Sequence, residues 1–148
     1  MVSLSSNCEK EIKYVNTNII DYVEYEEINE DAKSSSIGAN RLVYLPYLNG
    51  EQSPHFNLTC RGSFVGLAGI HTKADMTRAV MEGVTYALRD IMSGIQNTGV
   101  EVDHVHMCGG GSKSPFWRQL LADIYKLPVS LPDMKSENSA ALGVAILA

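Results

Sequence analysis

His106-Met107-Cys108-Gly109-Gly110-Gly111-Ser112-Lys113-Ser114-Pro115 is the stretch that decides the fold. The run Asp103 to Cys108 reads as a strand, three glycines turn the chain, and a helix follows over Pro115 to Lys126. Ser114 suits the N-cap because its hydroxyl takes a first-turn N–H, and proline suits the first helical position, which needs no N–H. Without Cβ atoms the glycines permit a sharp turn and let a ligand lie against bare backbone. The helix beyond offers unpaired N–H groups and the positive end of its dipole. A phosphate, a ribose or the edge of a base fits such a place. A tight strand-to-helix connection with no ligand explains the same residues, so spacing alone leaves both readings open.

Working outward, the strongest helix signal lies before this stretch. Thr72 with Asp75 three residues on is a capping-box variant, and Met76, Val80, Val84, Leu88, Ile91 and Ile95 recur at helical spacing. Gly99 stands where a C-terminal stop belongs. Earlier still, Leu42-Val43-Tyr44-Leu45 before Pro46 predicts a buried strand, and Gly62 to Leu67 a brief extended piece. Asn49 to Arg61, with Asn-Gly and Ser-Pro, reads as a loop. Ile12, Val15, Ile19, Ile20 and Val23 predict an amphipathic helix, followed by a helical piece near Tyr25–Lys33 and a loop from Ser34 to Gly38. After the decisive stretch, Leu127 to Leu131 reads as a short edge strand, and a last helix rich in small residues starts near Ser136. Alternating strands and helices predict an α/β layered domain.

The chain has 148 residues, 45% hydrophobic and 20% charged, which describes one globular domain with a single core. Twelve Lys+Arg against 17 Asp+Glu leave a net charge of −5 and no basic cluster, which argues against a nucleic-acid partner. Eight of the 17 acids fall between Glu9 and Asp31 and read as a solvated face. The longest apolar run, Ala140 to Ala148, is too short to span a bilayer, and no signal peptide is visible. Cys8, Cys60 and Cys108 have no paired spacing and read as reduced thiols. These features predict a cytoplasmic protein without a membrane partner. At this length, however, many two-substrate enzymes need a second domain to complete their cleft.

Other chemistries fail on spacing. A Walker loop requires glycine directly before Lys-Ser, where Ser112 stands, and the dinucleotide fingerprint requires a glycine at position 114. His104 and His106 share a strand face but have no third ligand nearby in sequence, so they read as structural and no metal ligand is named. No Gly-x-Ser-x-Gly elbow supports serine-hydrolase chemistry. Glu51, His55 and Arg61 sit in the polar loop and read as its stabilisers.

Four groups of residues then converge on one family. Gly62-x-Phe64-x-Gly66-Leu67, seven residues, and Asp75-Met76-x-x-Ala79-Val80-Met81-Glu82 resemble the second signature of the FGGY carbohydrate kinases at every specified position. Leu45 to His55 resembles the family's Leu-Pro-Tyr-x-x-Gly-Glu-x-x-Pro loop. Cys108 to Gln119 is similar to its adenosine motif, and Glu137 to Ala145 to its closing helix. The order is the family's, over residues 41–148. Within the family, Pro54-His55 and the Gly-Gly-Gly-x-x-Ser-x-x-Trp form look most like the xylulokinase branch, with gluconate kinases the close competitor. Gln52-Ser53 departs from the more usual Arg-Thr.

The resemblance implies an actin-like, ribonuclease-H-like fold, with residues 1–148 as the C-terminal, ATP-binding domain of a two-domain sugar kinase. It implies ATP and Mg²⁺ as reactants at the site, with the sugar held mainly by an N-terminal domain that this chain does not resemble. The whole enzyme would move the γ-phosphate of ATP to D-xylulose, giving the 5-phosphate. Gly109, Gly110, Gly111, Ser112 and Ser114 are the cofactor-binding candidates by motif position, Ser112 the weaker. Trp117 and Arg118 are either ligand neighbours or helix packing. No catalytic residue is named, because the family's catalytic aspartate lies upstream of the region matched. A reading of another class, a non-catalytic actin-like module for interaction or regulation, stays open, as does a homodimer.

Overall fold

The structure is a computed structural model that describes residues 12–13, 22–23 and 25–132. Two short strands, β1 (Ile12–Lys13) and β2 (Tyr22–Val23), pair antiparallel, with Ile12 opposite Val23. At these four residues this corrects the predicted amphipathic helix; Val15, Ile19 and Ile20 of that prediction lie outside the described residues. Isoleucine, valine and tyrosine favour the pleated surface of a strand, and here that preference outweighs a spacing that also suits a helix. The helical piece that follows is present as α1 (Tyr25–Ser34).

Strand β3 (Val43–Leu45) pairs antiparallel with β4 (Ser63–Val65), placing Tyr44 opposite Phe64. Their rings tilt against each other with centroids 4.8 Å apart. The expected buried strand is only partly buried: Leu42 just before it is covered, while Val43 is half exposed. The 24-residue helix α2 (Lys73–Gln96) carries the predicted capping box, with reciprocal Thr72 and Asp75 bonds. Strand β5 is shorter than predicted, Val105–His106, and leads through the glycine turn into α3 (Pro115–Tyr125). Strand β6 (Val129–Ser130) returns parallel to β5, so this unit is a compact βαβ crossover. Three separate two-stranded pairs are thus described rather than one continuous sheet. The helix predicted from Ser136 lies outside the described residues.

Helix α2 is the central element. One apolar cluster joins Ala32 of α1, Met81 of α2, and Leu120 and Ile124 of α3. A second joins Ala39 and Leu42 to Ala79, with Tyr44 and Phe64 packed on it. At Gly83 the Tyr44 carbonyl comes so close that a Cβ has no room, so β3 lies directly on α2.

The buried face of α2 mixes apolar Ala79 and Met81 with polar positions, and much of its apolar stripe lies outside it. Met76, Leu88 and Ile95 stay substantially exposed, whereas Asp75, Arg78, Glu82 and Thr85 are buried. Asp75, Arg78 and Glu82 serve the segment 35–40, whose backbone has no sheet to pair with. Asp75 accepts from the Ser35 hydroxyl (2.7 Å), the Asn40 amide (2.8 Å) and both Thr72 groups. The Ser35 and Thr72 donors hold its carboxyl down at about 2. Arg78 donates to the carbonyls of Ala32 and Ser35 and pairs with Glu82 at 2.7 Å. Glu82 in turn accepts from the Gly38 N–H (3.1 Å). From Gly38 to Arg41 the backbone has φ of 79°, 46°, 53° and 72°, a left-handed run that side chains other than glycine resist. The buried charges of α2 hold it there.

Candidate functional site

Between α1, α2 and the glycine turn lies a cleft of about 450 Å³. Its floor is apolar: Ile28 from α1, Val80, Met81 and Val84 from α2, and Trp117 from α3. Glu26, Asn29, Lys113 and Ser114 bring polar groups to its walls, and the backbone of Gly110 and Gly111 closes one side. Such a combination suits a planar, partly apolar ligand oriented by a few polar atoms.

The turn has this shape because its side chains bond inward. Gly109 sits at φ 83°, ψ −174°, a conformation essentially restricted to glycine. Ser112 is buried, and its hydroxyl donates back to the Gly109 carbonyl at 2.7 Å. The Arg118 guanidinium donates to the Ser112 carbonyl. Ser114 accepts from the Trp117 N–H (3.0 Å), as a helix cap should, and donates to the Asn29 side chain of α1 (2.6 Å). The Trp117 indole N–H donates to the Thr85 hydroxyl (2.9 Å). At Gly111 a Cβ would stand 2.9 Å from the Trp117 ring, so the turn rests on that indole.

The five residues singled out in sequence therefore separate. Gly110, Gly111 and Ser114 line the cleft; Gly109 shapes the turn from outside the lining, and Ser112 faces the interior. Lys113 is exposed and, like Glu26, contributes to the cleft lining. Trp117 both packs and lines, while Arg118 only braces the turn. Sequence reasoning missed Asn29 and Thr85. Asn29 lies far from the turn in sequence, and nothing local marks it. Thr85 had a faint signal, a hydroxyl one turn beyond Met81 on a face otherwise meant for packing.

The other residues weighed in sequence act locally. The rings of His104 and His106 tilt against each other with centroids 4.6 Å apart, and both reach the Ser130 hydroxyl, at 2.7 and 3.0 Å, tying β5 to β6. Glu51 accepts from the Ser53 N–H, and Arg61 donates to the carbonyls of Leu58 and Cys60, which stabilises the loop as expected. His55 pairs with Asp90 of α2 at 2.8 Å, beside a shallower cleft of about 400 Å³ against β3. That second cleft has no glycine turn. Cys60 and Cys108 are free thiols. Among the described residues no three His, Cys, Asp or Glu stand together to hold a metal ion, and no helix is long and apolar enough to cross a membrane.

Comparison with known proteins adds a lineage to this geometry. Residues 4–148 match the model of the FGGY family of carbohydrate kinases, C-terminal domain. A xylulose kinase of Staphylococcus epidermidis is 48% identical over 124 residues, 84% of this chain and 25% of the relative. A ligand-bound xylulose kinase structure from Lactobacillus acidophilus superposes with a TM-score of 0.71 at 36% identity, covering 81% of this chain and 25% of that one. A gluconate kinase structure from the same organism gives the same values. The chain spans about a quarter of the length of the curated relatives it matches.

Proposed function

The chain belongs to the FGGY family of carbohydrate kinases, and from that premise we propose that its 148 residues form most of the ATP-binding, C-terminal domain of a sugar kinase with an actin-like fold. The observation that carries the reading is the glycine turn, whose side chains bond inward while the Gly110 and Gly111 backbone borders an apolar cleft. Adenine fits the apolar floor between Trp117 and the valines of α2. The ribose fits against Gly110, Gly111 and Ser114. Glu26 and Asn29 stand where they hydrogen-bond a base or a sugar hydroxyl, and Lys113 where it meets negative charge.

Phosphoryl transfer depends on positioning and on neutralising the charge of the moving phosphoryl group. This chain supplies positioning of the nucleoside. Magnesium, bound with the nucleotide, supplies charge neutralisation; the described residues offer no ligand cluster for it, so none is assigned here. A carboxylate that takes the proton of the attacking hydroxyl is a separate requirement. We assign that base, and the sugar contacts, to the portion of the relatives that this chain does not cover. The chain alone then binds ATP and transfers nothing.

D-xylulose is the favoured acceptor, giving the 5-phosphate, because the 48% identical relative is a xylulose kinase. Gluconate is the second reading, favoured by the equally similar gluconate kinase structure. Two measurements test the proposal. Calorimetric titration of the 148-residue chain with ATP, with and without Mg²⁺, should give saturable binding; no heat at millimolar ATP favours a non-catalytic interaction module. Turnover of D-xylulose by the pure chain would contradict the division of labour. A panel with both sugars on the full-length parent decides the acceptor.

A further inference from the structure

We propose that Thr85 is a positioning residue for the nucleotide, acting through Trp117 on the backbone of Gly111. This assignment rests on the nucleotide reading of the cleft. Thr85 is completely buried and does not line the cleft itself. Its hydroxyl donates to the Met81 carbonyl one turn back, at 2.7 Å. That bond uses its single proton, so the lone pairs alone face Trp117. The indole N–H is a donor only, and it finds its acceptor there at 2.9 Å. With the nitrogen pinned, the six-membered ring of the indole lies under the turn, 2.9 Å from where a Cβ at Gly111 would stand. Trp117 also lines the cleft. Thr85 therefore fixes both the height of the Gly110–Gly111 backbone and the face on which a base stacks. No other hydroxyl or carbonyl of α2 bonds that indole among the described residues.

The test separates this role from packing. Thr85→Val keeps the volume and removes the acceptor; Thr85→Ser keeps the hydroxyl and removes a methyl. Trp117 is the chain's sole tryptophan, so its emission reports the bond directly. In the 148-residue chain, Thr85→Val should shift that emission to the blue, since the indole N–H loses its acceptor in a buried site, and weaken MgATP binding about tenfold by calorimetry, the scale of one lost hydrogen bond. Thr85→Ser should bind within about twofold of wild type by the same reasoning. Wild-type affinity in Thr85→Val, or equal impairment in both variants, overturns the proposal. Should the valine variant not fold, the wild type decides: a Trp117 indole N–H protected from exchange and shifted by MgATP supports the role, and rapid exchange without response overturns it. A wild-type chain that binds no ATP overturns the nucleotide reading itself, whereas a normal Thr85→Val overturns only the part given to Thr85.

Discussion

Two regions of this molecule hold irregular backbone in place, and they do so by opposite means. The segment 35–40 is held by buried charge: Asp75, Arg78 and Glu82 each spend their bonding capacity on it. The glycine turn 109–114 is held mainly by neutral groups, the hydroxyls of Ser112, Ser114 and Thr85 and the indole of Trp117, with one charged brace from the half-buried Arg118 to the Ser112 carbonyl. In the first arrangement the charged groups are buried and wholly engaged, although Ile37 on the segment they hold is exposed. The second leaves one backbone face toward a cleft. A buried ion pair is costly to halve, whereas neutral bonds can be altered singly. Damage to the first region should therefore unfold the protein, and damage to the second should cost binding before it costs the fold.

The largest expected effect breaks the charged side of that contrast. Glu82→Ala leaves the Arg78 guanidinium buried without its carboxylate and should lower stability by about 3–5 kcal/mol, read from the midpoint of denaturant unfolding. A shift under about 1 kcal/mol would mean that the pair holds nothing. Next, Gly111→Ala presses a methyl against the Trp117 ring; about 1–3 kcal/mol of strain is expected, together with weaker ATP binding in a calorimetric titration. Ser114→Ala removes a helix cap and the link to Asn29, and should cost about 1 kcal/mol in thermal unfolding.

The mildest test is acid. The carboxyl of Asp75 is held at about 2, below its ordinary value of 3.8, so its contribution to stability is full above roughly pH 4. It should drain away as pH falls from about 4 toward 2, because the unfolded chain then takes up the proton first. Asp75→Asn should remove this acid-dependent step; an unchanged acid profile in that variant would place the titration elsewhere.

Legibility in the sequence followed the same division. The Thr72–Asp75 box, the Ser114 cap and the end of α2 near Gly99 are local signals, and each appears where the residues put it. The site was half legible. Glycines announce a turn, but whether a serine beside them points out or in depends on partners elsewhere. Ser112 turns inward to its own loop, and Ser114 reaches Asn29 on another helix. The apolar periodicity of α2 found the helix but only part of its buried face, because charged Asp75, Arg78 and Glu82, which satisfy loop backbone, are buried beside Ala79 and Met81. At Ile12–Lys13 and Tyr22–Val23 the spacing suited a helix while the residue types suited strands, and there the strands form. Periodicity is weak evidence where β-branched residues supply it.

The central claim, that the Gly109–Gly111 turn and Trp117 form a nucleotide site, is tested most directly by amide shift mapping of the 148-residue chain titrated with MgATP. The account predicts saturable shifts concentrated on Gly110, Gly111, Asn29 and the Trp117 indole N–H, with the segment 35–40 unmoved. Shifts centred instead on Tyr47, His55 and Asp90, around the other cleft, or no shifts at millimolar ATP, would contradict it.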